Sequence, residues 1–231
     1  MPPSVALPSV APLFVILAMA PVEESDFVYF SSGVGIYPLS NLTRCELHLD
    51  GLDWPSLEHW YQATKFVHKD RWRFAKGGDL ADLDAFRLHR GYFVPRKKED
   101  GSIKHWGANK NKPEMVGIVA KMASNPSRAQ RLCLRMLPKQ AESEDRIPEM
   151  IELFKRGLHA KFAQNPEMRA ALLATGDKQL VEFGRGAGRE TKAGRPPLWN
   201  GLWDKEGTKE IMGRNLMGQI MTEVRDELFV A

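Results

Sequence analysis

Glu58, Tyr61, Gln62 and Lys65 fall within the stretch WPSLEHWYQATKF (54–66), at the i, i+3, i+4 and i+7 spacing that brings side chains to one face of a helix. An acid and an amine would then share a surface. A carboxylate can stabilise the oxocarbenium-like centre that forms when a bond to an anomeric carbon breaks, and a lysine can capture the sugar carbonyl as a Schiff base. The pair points to glycosidic bond cleavage. A solvated polar row fits the same spacing and is the plain alternative.

The element that must hold this row is a helix predicted over 55–67. Asp53 or Ser56 can cap it, Pro55 stands near the first turn where its missing N–H costs nothing, and no proline interrupts the run to Phe66. Leu57, Trp60, Tyr61 and Thr64 form an apolar stripe, so the row beside it can line a cleft next to the core. Further helices are expected near 79–88, 114–124, 147–163, 166–174 and 209–228, from apolar spacing and from the breakers Pro113, Pro126 and Pro166. FVYFS (27–31), TRCELHLDG (43–51) and KQLVEF (178–183) read as strands. Strands and helices do not alternate. The expected fold is therefore α+β, a compact, mainly helical single domain with a few short strands, and a doubly wound parallel sheet is disfavoured.

At 231 residues with 43% hydrophobic content, one core is the simplest organisation. Residues 26–231 are assigned to it, and 1–25 to an N-terminal apolar extension. Within that extension APLFVILAMA (11–20) ends in Ala18-Met19-Ala20, like a secretory cleavage site, yet no Lys or Arg precedes it. The run is shorter than the ~20 apolar residues of a membrane span, and Pro2, Pro3, Pro8 and Pro12 break it, so no membrane association is expected. Cys45 and Cys133 form no metal-ligand spacing and no disulfide framework, which fits a reducing compartment and ordinary buried thiols. An intracellular protein, cytoplasmic or nuclear, is expected, with secretion the alternative that the apolar run keeps open.

The formal charge of +4 and pI near 9.0 suit an anionic partner without requiring one. Position says more. Arg96, Lys97, Lys98, Lys104, Lys110 and Lys112 crowd a segment that also contains His105 and Trp106, a mixture that can follow a sugar-phosphate backbone and stack on a base, or simply be a solvated loop. In EFGRGAGRETKAGRPP (182–197), Gly184, Gly186 and Gly188 follow a strand, and Arg185, Arg189 and Arg195 can meet phosphate. No helix N-terminus is expected after these glycines, so a dinucleotide cradle is excluded and a mobile basic lid or a flexible surface loop remains. The six histidines are scattered and Glu58-His59 lacks a second ligand at helical spacing, so catalytic zinc is not expected. Ser31, Ser32 and Ser40 have no nucleophile-elbow context.

The segment 54–66 resembles the P-[ST]-x-E-H-[YW]-[YF]-Q-A-x-K-F signature of the NADAR (YbiA-like) superfamily of N-glycosidases acting on ribosyl or ADP-ribosyl linkages. Leu39-Ser40-Asn41-Leu42 is similar to the family's S-N-F element, and Lys161-Phe162 with NPEMRAALLATGDKQLVE (165–182) to its central helix-to-strand passage. Trp199-Asn200-Gly201 and GRNLMGQIMTEVRDEL (213–228) resemble its closing segments. The resemblance runs in family order from about residue 27 to the end.

What the resemblance implies is a catalytic role for Glu58 and Lys65, with Tyr61 and Gln62 as ligand or supporting contacts and Asn41, Trp199, Asn200 and Asn215 near the pocket. Compact bacterial members carry an acid three positions before the tryptophan, where this chain has Pro196, and a tryptophan upstream of K-F, where it has Arg146. Those departures, with the basic and aromatic additions, favour a larger anionic substrate than a riboflavin-pathway intermediate. The expected reaction is hydrolysis of the bond between ADP-ribose and guanine in DNA, RNA or a nucleotide, releasing ADP-ribose without a metal or organic cofactor. Trp106 or Trp199 would stack on the base, and Arg96, Lys97, Lys98, Arg185 and Arg189 would hold phosphates or nucleic acid. Two readings compete with this: an N-glycosidase of riboflavin-pathway intermediates with the same Glu58 and Lys65 chemistry, and a non-catalytic reader of ADP-ribose or nucleic acid, although binding alone does not require the Glu58–Lys65 pair.

Overall fold

A computed structural model describes residues 26–31, 37–81, 116–138, 144–184, 186–204, 207 and 210–230. The apolar extension 1–25, the basic segment carrying Arg96, Lys97, Lys98 and Trp106, and Arg185 lie outside them.

Strand β1 (Phe27–Phe30) pairs in parallel with β4 (Gln179–Glu182), Phe27 opposite Gln179 and Phe30 opposite Glu182. β2 (Leu47–Leu49) and β3 (Leu52–Trp54) form a hairpin, and β5 (Leu202–Trp203) pairs antiparallel with β6 (Ile211–Met212). The helices are α1 (Leu57–Ala63), α2 (His68–Arg71), α3 (Ile118–Ala123), α4 (Pro126–Arg131), α5 (Ile147–Gln164), α6 (Pro166–Leu173), α7 (Ala187–Lys192) and α8 (Leu216–Val230). The protein is a mainly helical α+β fold with three small two-stranded pairings among the described residues. None of the described helices is long and apolar enough to cross a membrane.

Several elements depart from the sequence expectation. The strand expected over 43–51 is half of a hairpin: Asp50 and Gly51 take φ of +55° and +75°, and the chain turns back between Leu49 and Leu52. The helix expected over 55–67 ends at Ala63, capped by Thr64, and Phe66 bridges to Met136. Residues 79–81 are turn and bend, and the rest of the helix expected over 79–88 lies outside the described residues. The glycine–arginine loop does contain a helix, α7, with Gly186 at its N-cap. Residues 211–212 are strand, and the closing helix begins only at Leu216. Cys45 is buried as expected, whereas Cys133 is exposed.

The core lies between α1, α5 and α8, and gathers Trp54, Trp60, Phe30, Phe66, Phe74, Leu158 and Phe162. α5 buries Met150, Phe154, Leu158, Lys161 and Phe162, the one-sided pattern that packing against neighbouring elements demands. It approaches α1 at Gly157, where a Cβ would stand 2.5 Å from Leu57 Cδ1 and 2.7 Å from Trp60 Cζ3. A side chain there would lift α1 off the core.

Lys161 is wholly buried on this face, its ammonium donating to the carbonyls of Ser40 at 2.9 Å and Leu39 at 3.4 Å. Burial pulls its pKa down from 10.5 to about 8, with the Cys45 thiol acting weakly the other way. Below about pH 8 the folded protein carries a buried ammonium, whereas the unfolded chain holds the same proton up to about 10.5. Stability is therefore expected to rise between these limits, by up to about 1.4 kcal/mol per pH unit. Denaturant titrations at pH 8 and pH 10 should show this gain in the wild type and not in Lys161→Met. Equal gains in both proteins would assign the effect to another group.

Candidate active site

Ser56 starts α1: its hydroxyl accepts from the His59 N–H at 3.4 Å and meets His59 Nδ1 at 2.8 Å. The first turn this fixes carries Glu58, which is buried, and Gln62 follows one turn later, also buried. Gln62 Nε2 donates to Glu58 Oε1 at 2.7 Å. A carboxylate out of water keeps its charge only with such partners.

The Ser40-Asn41-Leu42 turn lies against this pair. Glu58 N–H donates to the Asn41 carbonyl at 2.9 Å, and Gly117 N–H to the Leu42 carbonyl at 2.9 Å. Lys161 holds the turn from below. Gly117, at the N-cap of α3, comes so close that a Cβ would stand 2.8 Å from Leu42 Cα and 2.9 Å from Glu58 Cβ. Asn41 Nδ2 reaches the sulfur of Met217 on α8 at 3.5 Å. Two amide oxygens in this corner, Asn41 Oδ1 and Gln62 Oε1, are buried without a hydrogen-bond partner among the described residues. Each such acceptor costs about 1–3 kcal/mol unless a donor reaches it.

Lys65 sits in the turn after α1, its backbone held by Lys65 N–H to Gln62 C=O at 3.2 Å and Leu137 N–H to Lys65 C=O at 2.9 Å. Its ammonium lies 4.7 Å from the Tyr61 ring centroid. Tyr61 packs on Phe154 at 4.2 Å and meets Trp199 edge-on at 6.4 Å. Trp199 is half-buried and T-shaped against Phe154 at 5.0 Å. Asn200 accepts the Asn215 N–H on its backbone carbonyl at 3.3 Å. Asn215 spends both ends of its amide on β4, Oδ1 accepting from Glu182 N–H at 3.0 Å and Nδ2 donating to Leu180 C=O at 2.9 Å. It fixes the end of β4 through both ends of its amide.

Asn41, Glu58, Tyr61, Gln62, Lys65, Trp199, Asn200 and Asn215 are thus linked through contacts of α1, the Asn41 turn and the start of α8. Arg189 is exposed on α7, where it lines an open hollow with Glu190, Ala193 and Arg195, and no described contact joins it to Glu58. A second, partly open hollow of about 70 Å³ is lined by Asp50, Trp54, Trp60, Thr64, His68 and Arg71. It includes neither Glu58 nor Gln62 and is too small for a nucleoside. Among the described residues no three His, Cys, Asp or Glu side chains are grouped to hold a metal ion.

Sequence reasoning missed Glu182, half-buried at the end of β4. Burial pushes its carboxyl up from 4.5 to about 7, Lys121 of α3 opposes that rise, and the neighbouring charge of Glu58 adds to it. The available signal was an acid closing the apolar strand run Leu180-Val181.

The NADAR domain matches residues 103–229, more than half the chain. The N-glycosidase YbiA proteins of Escherichia coli (strain K12) and Shigella boydii are each 22% identical over 209 residues, covering 90% of this chain and 92% of theirs. A riboflavin biosynthesis protein of Vibrio vulnificus is 25% identical over 191 residues, 82% of this chain and 35% of its own length. The NMR structure of E. coli YbiA aligns over 92% of this chain and 90% of that one, with a TM-score of 0.47 and 23% identity.

Proposed function

The chain belongs to the NADAR family, and from that premise we propose that it hydrolyses the N-glycosidic bond between ADP-ribose and guanine in DNA, RNA or a nucleotide, releasing ADP-ribose. The observation that carries the reading is the buried Glu58–Gln62 pair, flanked by oxygens of Asn41 and Gln62 that no described residue reaches. A ligand rich in hydroxyl and N–H donors, such as a ribosyl purine, supplies what these acceptors lack. The YbiA relatives are named N-glycosidases, which supports the reaction class.

Glu58 stabilises the ribosyl cation-like centre as the C1–N bond lengthens. Lys65 meets the opened C1 aldehyde, and Tyr61 and Trp199 form an aromatic wall beside it. The sugar is the electrophile and water completes turnover, so the chemistry itself calls for no metal or organic cofactor. Incubating the purified protein with an ADP-ribosylated guanine oligonucleotide, read by mass, should show loss of the ADP-ribosyl mass. An unchanged oligonucleotide would refute the assignment.

The Vibrio relative's name, a riboflavin biosynthesis protein, favours a second reading: an N-glycosidase acting on a riboflavin-pathway intermediate with the same Glu58 and Lys65 chemistry. The basic residues outside the described structure separate the two. Changing Arg96, Lys97 and Lys98 together to glutamate should reduce activity on an oligonucleotide by about tenfold or more relative to a modified mononucleotide, because contacts to flanking phosphates are lost. Equal loss on both would remove nucleic acid from the role given to this segment.

A further inference from the structure

Glu182 presents a half-buried carboxyl that hydrogen-bonds and ion-pairs with no described residue, while its backbone is held on both sides. Its N–H donates to Asn215 Oδ1 at 3.0 Å, its carbonyl accepts from Gly201 N–H at 2.8 Å, and it stands opposite Phe30 in the parallel ladder. The strand end cannot drift, so the carboxyl is aimed by its own rotamers alone. Met217, two residues past the Asn215 clamp, touches Asn41, and Asn41 touches Glu58. The backbones of Glu58 and Glu182 are thus tied through Asn41, Met217 and Asn215, and the field of Glu58, bonded to Gln62, reaches Glu182, whose carboxyl bonds to no described residue.

The charged groups whose fields reach Glu182 are Lys121 from α3 and Glu58 from α1. From α8, Arg225 binds the Lys178 carbonyl at 2.6 Å, before the other end of β4, and β1 presents Phe30. Burial is the largest influence on Glu182 and favours its protonated form, the form an acid step needs.

We propose that Glu182 is the general acid of the reaction, its carboxyl proton passing to the departing guanine nitrogen while Glu58 serves the sugar. This rests on the N-glycosidase reading above. The electron pair of the C1–N bond leaves with nitrogen, and the proton from Glu182 makes that nitrogen neutral. The Lys65 amine takes C1 and loses a proton to Glu58, the ring opens to the imine, and water then adds to release the C1 aldehyde of ADP-ribose and the free amine. Return of one proton to Glu182, through solvent, closes the cycle with one water consumed. The protonated form this step needs is the one that burial favours, with titration at about 7.

The test compares wild type and Glu182→Gln on two substrates: an oligonucleotide bearing ADP-ribosylguanine, and the 4-nitrophenyl glycoside of ADP-ribose, whose nitrophenolate departs without a proton. Losing the acid should lower kcat on guanine by about 10²-fold or more and on the nitrophenyl glycoside by less than about tenfold. Wild-type kcat on guanine should fall as pH rises through about 7, and this limb should be missing with the nitrophenyl glycoside. Equal loss on both substrates, no loss on guanine, or a limb common to both leaving groups overturns the assignment. The wild-type pH comparison stands even if Glu182→Gln does not fold. Wild type that cleaves neither substrate refutes the N-glycosidase reading itself, a result distinct from failure of Glu182 alone.

Discussion

Glu58→Gln is expected to lower turnover on ADP-ribosylguanine by about 10²-fold or more, the usual scale for a positioned acid–base group, in a protein that still folds. The substitution keeps side-chain length and volume. Gln62 can turn its amide and accept at Oε1 from the new amide, so the 2.7 Å contact of the native pair has a neutral counterpart. The Glu58 backbone bond to Asn41 is untouched. What disappears is the negative charge facing a developing cation in a buried corner, where water screens it least. Steady-state kinetics with a thermal melt measures both quantities. Near-wild-type turnover in a folded Glu58→Gln protein would sink the role assigned to the carboxylate.

Borohydride or cyanoborohydride added during turnover is expected to trap an adduct on Lys65, heavier by the ADP-ribosyl group. The step joins the neutral amine to the C1 aldehyde of the opened ribose with loss of water, and reduction makes the bond permanent. Lys65→Arg should abolish trapping and lower kcat steeply, by about 10²-fold, because a guanidinium stays protonated and forms no imine. Such a change leaves the fold alone: the backbone of residue 65 is held by Gln62 and Leu137, and an arginine retains a cation over Tyr61. Peptide mapping identifies the modified residue. An adduct elsewhere, or full activity in Lys65→Arg, would make hydrolysis a direct water attack assisted by Glu58.

Local rules read part of this molecule well. α5 and α6 begin near Pro148 and Pro166, as proline in a first turn announces, and the Ser56 cap was visible from its spacing. The hairpin was also announced, because Asp50-Gly51 between Leu49 and Leu52 is a strong turn signal. The alternation of Leu47 and Leu49 masked it by reading onward as one strand. Lys65 fell within the predicted helix because nothing local marks the stop at Ala63. That end comes from Phe66 bridging Met136, a partner 70 residues away in sequence.

The corner itself divides the same way. The Glu58–Gln62 contact follows from helical periodicity and was legible. Lys161 falls within the helix expected over 147–163, but its burial depends on carbonyls of the Ser40 turn, which helical spacing does not encode. Glu182 had no local mark beyond an acid ending an apolar strand. Its placement comes from Asn215, which needs φ of +50° to reach back to β4, and no period in the sequence encodes that.

The ladder joining β1 to β4 ties Phe27 to Gln179 and Phe30 to Glu182, which makes assembly of the corner a matter of chain closure. Parallel pairing between such distant segments meets its loop entropy before any contact repays it, and long-range contacts of this kind slow folding. During synthesis α1 leaves the ribosome long before Glu182 and Asn215 exist. A growing chain therefore carries Glu58 on a helix with no second carboxyl beside it, and the two acids meet only when the ends of the domain have closed on one another. On the assignment proposed for Glu182, delivery of a proton to the departing base therefore waits for the closed domain.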